Sequence, residues 1–172
     1  MSATTAVAPS VHEELLDHSA DEHASRRVVV VAIDGSDRSQ QAVDWAIDNI
    51  LRAAQDSVVL INVRPLAVQL GYPTALGDFG AEYQSIEDAN REASHELIRK
   101  TAKKFVEKDI PIRGIALRGD AREELVAKID ELKAQLVIIG SRGLNTVSRA
   151  LIGSVSDYVV HHSSAPVIVT KF

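Results

Sequence analysis

The chain reads as an α/β protein built on one parallel sheet, and three observations predict it. Five short runs rich in Val and Ile, at 28–33, 58–63, 112–117, 136–139 and 167–170, are apolar at consecutive positions. That is the pattern of strands buried on both faces. Helical periodicity fills the intervals between the runs. Strand and helix therefore alternate through residues 26–172, and such alternation builds a parallel sheet through right-handed crossovers.

The elements are taken in chain order. Residues 1–25 contain Glu13, Glu14, Asp17, Asp21 and Glu22 and no Lys or Arg. An acidic lead rich in Ala, Ser and Thr buries too little apolar surface to offset the ordering of its backbone. It is expected to be a disordered acidic tail with at most a short helix around 13–16. It lacks the basic start and apolar stretch of a secretory signal and the Arg-rich character of a transit peptide. His12, His18 and His23 have no tight ligand spacing, so a solvated tail is favoured over a metal site.

After the first strand, Val43, Ala46, Ile47 and Ile50 share one helical face, with Asp44 and Asp48 opposite. The second strand leads into a long connection, 64–84, that holds Tyr72, Phe79 and Tyr83, three of only seven aromatics in the chain. Such a connection reads equally as a lid over a ligand or as a surface insertion packed on itself. A longer helix is expected at about 85–108, with Ala93, Leu97, Thr101 or Ala102, and Phe105 facing inward. Asp120 followed by Glu123 resembles a capping box and opens a helix whose stripe is Leu125, Ile129 and Leu132. Ser154 with Asp157 is a weaker form of that signal, leading into Val155, Tyr158 and Val159.

The formal charge of −5 over 172 residues resides in the tail, because the remainder carries 19 acids against 19 bases. The absence of cysteine excludes disulfides, thiolate metal sites and cysteine nucleophiles. No apolar run approaches the ~18–20 residues that span a bilayer. Neither a membrane nor a nucleic acid is an expected partner: Arg99, Lys100, Lys103, Lys104 and Lys108 follow helical spacing near a helix end, and no basic stripe is interleaved with aromatics. No P-loop occurs, the first strand runs into Ile33-Asp34-Gly35-Ser36 rather than G-x-G-x-x-G, and there is no G-x-S-x-G elbow.

In such sheets ligands bind beyond the carboxyl ends of the strands, where strand order reverses. The fourth strand ends in Gly140-Ser-Arg-Gly143, followed after nine residues by Gly153-Ser154 at the start of the last helix. Gly140 and Gly143 permit a turn with positive φ and a close backbone approach to a ligand. Ser154 is expected to cap the helix, whose free N–H groups and dipole attract an anion. Ser156 adds a hydroxyl, and Arg142 and Arg149 add positive charge. Three glycines and two hydroxyls at one mouth suit phosphate oxygens. The plainer reading is that the glycines only make the turn and the Gly-Ser pair only caps the helix.

The spacing Gly140-x2-Gly143-x9-Gly153-Ser154 after an apolar strand resembles the nucleotide-binding motif of the universal stress protein family at each defined position. Ala32-Ile33-Asp34-Gly35-Ser36, Asn62-Val63, Arg118-Gly119-Asp120 and Ala165-Pro166 resemble its other strand ends and loops. The resemblance covers nearly all of 26–172, the expected nucleotide-binding domain. It implies a Rossmann-like sheet of five parallel strands in order 3-2-1-4-5, helices on both faces, ATP as ligand and Mg2+ held through the phosphates. Carried onto this chain, the backbone at Val63 would meet the adenine edge, and Asp34 would bond near the ribose or base. Ala32 and Ile33 would line that wall, with Ile139 and Gly140 opposite. Gly143, Gly153, Ser154, Val155 and Ser156 would hold the phosphates; Arg142 is at a variable motif position, and its phosphate role is our own inference. Asp34 has a simpler alternative role, ordering the turn before Gly35-Ser36.

The resemblance implies a cytoplasmic, ATP-binding stress-response or signalling protein, dimerising through the last strand at Val167–Val169. A nucleotide-independent interaction dimer is the alternative, since an exposed edge strand pairs readily. A cyclic nucleotide in place of ATP also stays open. Hydrolysis needs a group that positions water and a metal that bridges phosphates. Asp34, Asp37 and Asp120 are the acids near the mouth, no His or Glu lies in the glycine loop, and slow hydrolysis at most is expected. The acidic tail is a candidate competitor for the phosphate site.

Overall fold

The computed structural model describes residues 13–18, 26–66, 80–141 and 152–172. Ten elements follow one another: β1 (Glu13–His18), β2 (Arg27–Ile33), α1 (Asp37–Asn49), β3 (Asp56–Arg64), α2 (Gly80–Val106), β4 (Ile112–Arg118), α3 (Ala121–Glu131), β5 (Leu136–Gly140), α4 (Ser154–His162) and β6 (Val167–Thr170). The sheet has six strands in the order β1-β4-β3-β2-β5-β6. Its five parallel strands, β4-β3-β2-β5-β6, stand in the expected order 3-2-1-4-5.

The sixth strand is a correction. Residues 13–18, expected to be disordered or helical, form β1 and pair antiparallel with β4, Leu16 opposite Gly114 and Asp17 opposite Arg113. The edge of β4 supplies what the isolated segment lacks, a row of backbone partners and an apolar seat for Leu16.

Consecutive apolar residues on the central strands face alternate layers. Val29, Val31 and Ile33 join Leu60, Ile98 and Phe105 beneath α1 and α2. Val30 and Ala32 join Ile61, Ile115, Leu125 and Ile129 beneath α3 and α4. Arg27 closes the amino end of the sheet with a two-pronged bond to Asp56, at 2.7 and 3.0 Å.

The helices begin and end for local reasons. Ser36 caps α1, its hydroxyl oxygen accepting from the Ser39 N–H at 3.2 Å. Asp120 caps α3 by accepting from the Arg122 N–H at 2.9 Å. α2 ends before the expected Lys108 because Asp109 takes a left-handed φ of 54° and the Ile110 N–H turns back to the Phe105 carbonyl at 3.0 Å. Lys133, φ 50°, ends α3 in the same way, with the Ala134 N–H bonded to the Ile129 carbonyl. α2 also starts earlier than expected; of its expected inward stripe Thr101, Ala102 and Phe105 are buried and Leu97 packs partly buried on the core, whereas Ala93 is exposed and Ser94 and Ile98 are buried beside them. Tyr72 and Phe79 lie outside the described residues. Among those described, no helix is long and apolar enough to cross a membrane.

Gly114 is where α2, β1 and β4 come closest. A Cβ there would stand 2.5 Å from Ile98 Cγ2 and 2.9 Å from Leu16 Cγ. Gly114→Ala is therefore expected to destabilise the protein by about 1–3 kcal/mol through overpacking, read as a lowered urea midpoint. An unchanged midpoint would show that the two side chains give way freely.

Candidate functional site

Strand order reverses at β2, which pairs with β3 on one side and β5 on the other. The carboxyl ends of β2 and β5 therefore frame the crevice in which open α/β sheets bind ligands. Ala32 and Ile139 are register partners across it, and each is 7% exposed. Both face the α3–α4 layer, whereas Ile33 faces α1 and α2.

The turn after β2 is closed by a short relay. Asp34 Oδ1 accepts from the Ser36 N–H at 3.1 Å and from the Ser36 hydroxyl at 2.6 Å. The Asp34 N–H in turn donates to Ser39 Oγ at 3.2 Å. Asp34 thus orders this turn, the simpler of its two expected roles, and Oδ1 is committed to it. Asn62 fixes the end of β2 from the side: its Nδ2 donates to the Ile33 carbonyl at 2.8 Å, and its Oδ1 accepts from the Ser94 hydroxyl at 2.6 Å. Val63, the next residue, is partly buried at the end of β3.

The opposite side is built around one carbonyl. Ser141 O accepts from the Gly153 N–H at 2.7 Å and lies 3.2 Å from the Ser156 hydroxyl, which also reaches the Gly153 carbonyl at 2.9 Å. The two halves of the glycine motif, far apart in sequence, are thereby joined. The Ser141 N–H bonds to the Thr170 carbonyl at 2.8 Å, tying the same point to β6. Arg142, Gly143 and Arg149 lie outside the described residues.

Three details differ from the expected roles. Gly140 has no positive φ. A Cβ there would sit 3.3 Å from the Arg38 carbonyl oxygen, so this glycine admits the first turn of α1 against β5. Ser154 does not cap α4. Gly153 occupies the N-cap position, with φ −65° and ψ 151°, and among the described residues no side chain caps the helix. Ser156 is 2% exposed and its hydroxyl proton goes to backbone carbonyls, so the hydroxyl is committed within the protein and the donor left to it is its N–H. The first-turn N–H groups of Ser154, Val155 and Ser156 have no carbonyl within the helix to bond.

A charged cluster at the same edge was not foreseen. Arg64 and Arg118, register partners at the ends of β3 and β4, both meet Glu87 of α2, at 3.0 and 3.1 Å from Oε2. Glu87 lies 23 and 31 residues from its partners, and the expected helix began only two residues before it. Periodicity carries no sign of such a pairing. His161 and His162 engage the Asp157 and Tyr158 carbonyls of their own helix through Nδ1, each at 2.8 Å. Among the described residues no group of three or more His, Asp or Glu could hold a metal ion.

Asp120 does more than cap α3. Arg122 Nη2 donates to its Oδ2 at 2.7 Å, and the guanidinium also lies 5.9 Å above the Tyr158 ring of α4. The Arg122 side-chain bond, aided by backbone N–H donors and opposed by partial burial, lowers the Asp120 carboxyl from 3.8 to about 2. A depressed carboxyl contributes stability that is complete above its unfolded value and lost as pH falls through its folded one. Arg122→Ala should raise the Asp120 value part of the way back to 3.8 in a carboxyl NMR titration. The contribution to acid resistance, lost between about pH 4 and pH 2 in the wild type, should then disappear at higher pH. A titration curve unmoved by the substitution would refute the assignment.

The family model described as the universal stress protein family matches residues 25–171. Universal stress protein PHOS32 of Arabidopsis thaliana is 34% identical over 160 residues, a match covering 86% of this chain and 66% of that protein. The chain thus spans somewhat less than two thirds of that relative's length. Universal stress protein UspA from Lactobacillus plantarum superposes with a TM-score of 0.70 at 23% identity, covering 87% of this chain and 100% of its own. A universal stress protein solved in complex with cAMP superposes with a TM-score of 0.61 at 25% identity, covering 86% of this chain and 99% of its own. Five parallel strands in order 3-2-1-4-5, a crevice at the β2–β5 reversal and a family match over 25–171 agree: this chain belongs to the universal stress protein family.

Proposed function

We propose that residues 26–172 form an adenine nucleotide-binding domain whose occupancy is read out in a stress or signalling response. The observation that carries this reading is the bare amino end of α4. Gly153 offers no side-chain cap, the Ser141 carbonyl anchors it, and it stands at the topological switch point. Helix N-termini of this kind accept phosphate oxygens through free N–H groups and the helix dipole. The related structure solved with cAMP supports an adenine nucleotide as the ligand.

In this reading the backbone at Val63 meets the adenine, and Asp34 lies near the ribose while holding its own turn. Ala32, Ile33, Ile139 and Gly140 form the floor, and Gly153, Ser154, Val155 and Ser156 hold phosphate. Arg142 and Gly143 would complete that cradle. The amino end of α4 fits a phosphate, because its first-turn donors are backbone N–H groups with no carbonyl within the helix to bond. Mg2+, when bound with ATP, would be held through the phosphates and would offset their charge. Asp120 is tied to Arg122 and stays ionised at low pH, which makes it a poor proton acceptor. Slow hydrolysis at most is the corresponding reading.

The second reading is a homodimer that works without nucleotide. Its support is β6, the outer parallel strand, where Val167, Ile168 and Val169 are only partly buried. The two readings are compatible.

Calorimetry with ATP and with cyclic AMP tests the nucleotide reading directly. Gly153→Asp places a carboxylate where a cap belongs. It should weaken nucleotide binding at least about tenfold by repelling phosphate, while the unfolding midpoint stays level or rises. Absence of heat with either nucleotide for the wild-type protein would sink the reading.

A further inference from the structure

The edge of β4 is a strand-acceptor surface, and β1 is seated on it in a way that identifies its ligand. β1 is short, covers only one side of the sheet and carries a bulge between Glu14 and Leu16. Leu16 occupies the space left by the missing Cβ of Gly114 and packs against the core beside Ile98. Beside it runs a cleft of roughly 500 Å³, lined by Leu16, Ala102 and Val106, the cations Arg99 and Lys103, and the acids Asp17 and Glu107. Asp17 stands opposite Arg113 across the strand pair. The acceptor thus combines the backbone groups of β4 that β3 leaves to an outer strand, an apolar seat over a glycine and three cations.

We propose that this edge takes an extended, acidic, leucine-bearing peptide of another protein by strand addition, and that residues 13–18 occupy it in cis as an internal stand-in. Strand addition gets its affinity from main-chain bonds and its selectivity from alternate side-chain seats. Here the seat over Gly114 selects leucine, and Arg99, Lys103 and Arg113 select acids around it. The same charges disfavour pairing of two β4 edges, which would bring Arg113 and Arg118 of each copy together. The chain reaches its own edge with ease. β1 and β2 are three strand spacings apart, about 14 Å, and the eight intervening residues can extend about 26–29 Å. Tethering gives the internal strand an effective concentration near millimolar, so a free peptide competes only when β1 is loosened.

The test uses the full-length chain with Leu16→Asp, which removes the apolar contact and places a charge over Gly114. Backbone amide exchange should accelerate at least about tenfold at alternate residues of 112–118, those facing β1, while those bonded to β3 stay protected. A labelled peptide of residues 10–20 should bind this variant in fluorescence anisotropy, weaken with salt, fail when its own Leu is Asp, and bind wild type far more weakly. Full-length Asp17→Arg and Arg113→Asp provide an independent route. Each single change should speed the same alternate amides, and the double change should restore them. Unchanged exchange in Leu16→Asp, peptide binding indifferent to the Leu→Asp change, or no peptide binding to the variant would each overturn the proposal. Nucleotide binding is not involved in any readout, so failure here leaves the nucleotide reading standing.

Discussion

The constraint on which the rest depends is that β2 is buried on both faces. Val29, Val30 and Val31 have no exposed surface. A strand of this kind is stable only between two helical layers, and each layer must be reached by crossovers of one hand. The chain leaves β2 through α1 towards β3 and β4, then returns past β2 to lay down β5 and β6 on its other side. That return is the reversal of strand order. The crevice between the ends of β2 and β5 is therefore a by-product of covering a two-faced hydrophobic strand, with Ala32 and Ile139 as register partners across it.

The parallel strands were the most legible part of the sequence, because consecutive Val and Ile residues at 28–33 and 58–63 can hardly be exposed. Helix existence was equally plain, but helix ends were not. The stop of α2 depends on Asp109 adopting φ 54°, a conformation for which an aspartate gives only weak warning. Ala93 and Ser94 show the limit of periodicity on a long helix. The buried polar side chain is chosen by a bond to Asn62, which is remote in sequence. β1 was missed for a related reason. Glu-Glu-Leu-Leu-Asp-His has no strand pattern of its own, and its order comes from the edge it meets.

The glycine motif was legible as spacing but less so as mechanism. Gly140 serves helix packing, and Ser154 lies one position inside the helix that it was expected to cap. The physical effect strengthens the argument for the site. α1 and α3, whose amino ends are described, are each satisfied by a side chain of their own, Ser36 and Asp120. A self-capped terminus has spent part of its N–H capacity. α4 has no such cap among the described residues, and the dipole of that helix acts on whatever stands in front of it.

The acidic tail must then be weighed against the amino end of α4, the candidate phosphate site. In composition alone it looks like a competitor, five carboxylates attached to a neutral domain. Its described part is laid down at the far edge of the sheet, and β1 is separated from β5 by four strand spacings, about 19 Å. At physiological ionic strength exposed charges are screened over about 8 Å. The carboxylate of Asp17 therefore acts on Arg113 across the strand pair and hardly at all on the amino end of α4. Pairing with β4 sequesters this charge where cations receive it, at an edge strand removed from the β2–β5 crevice.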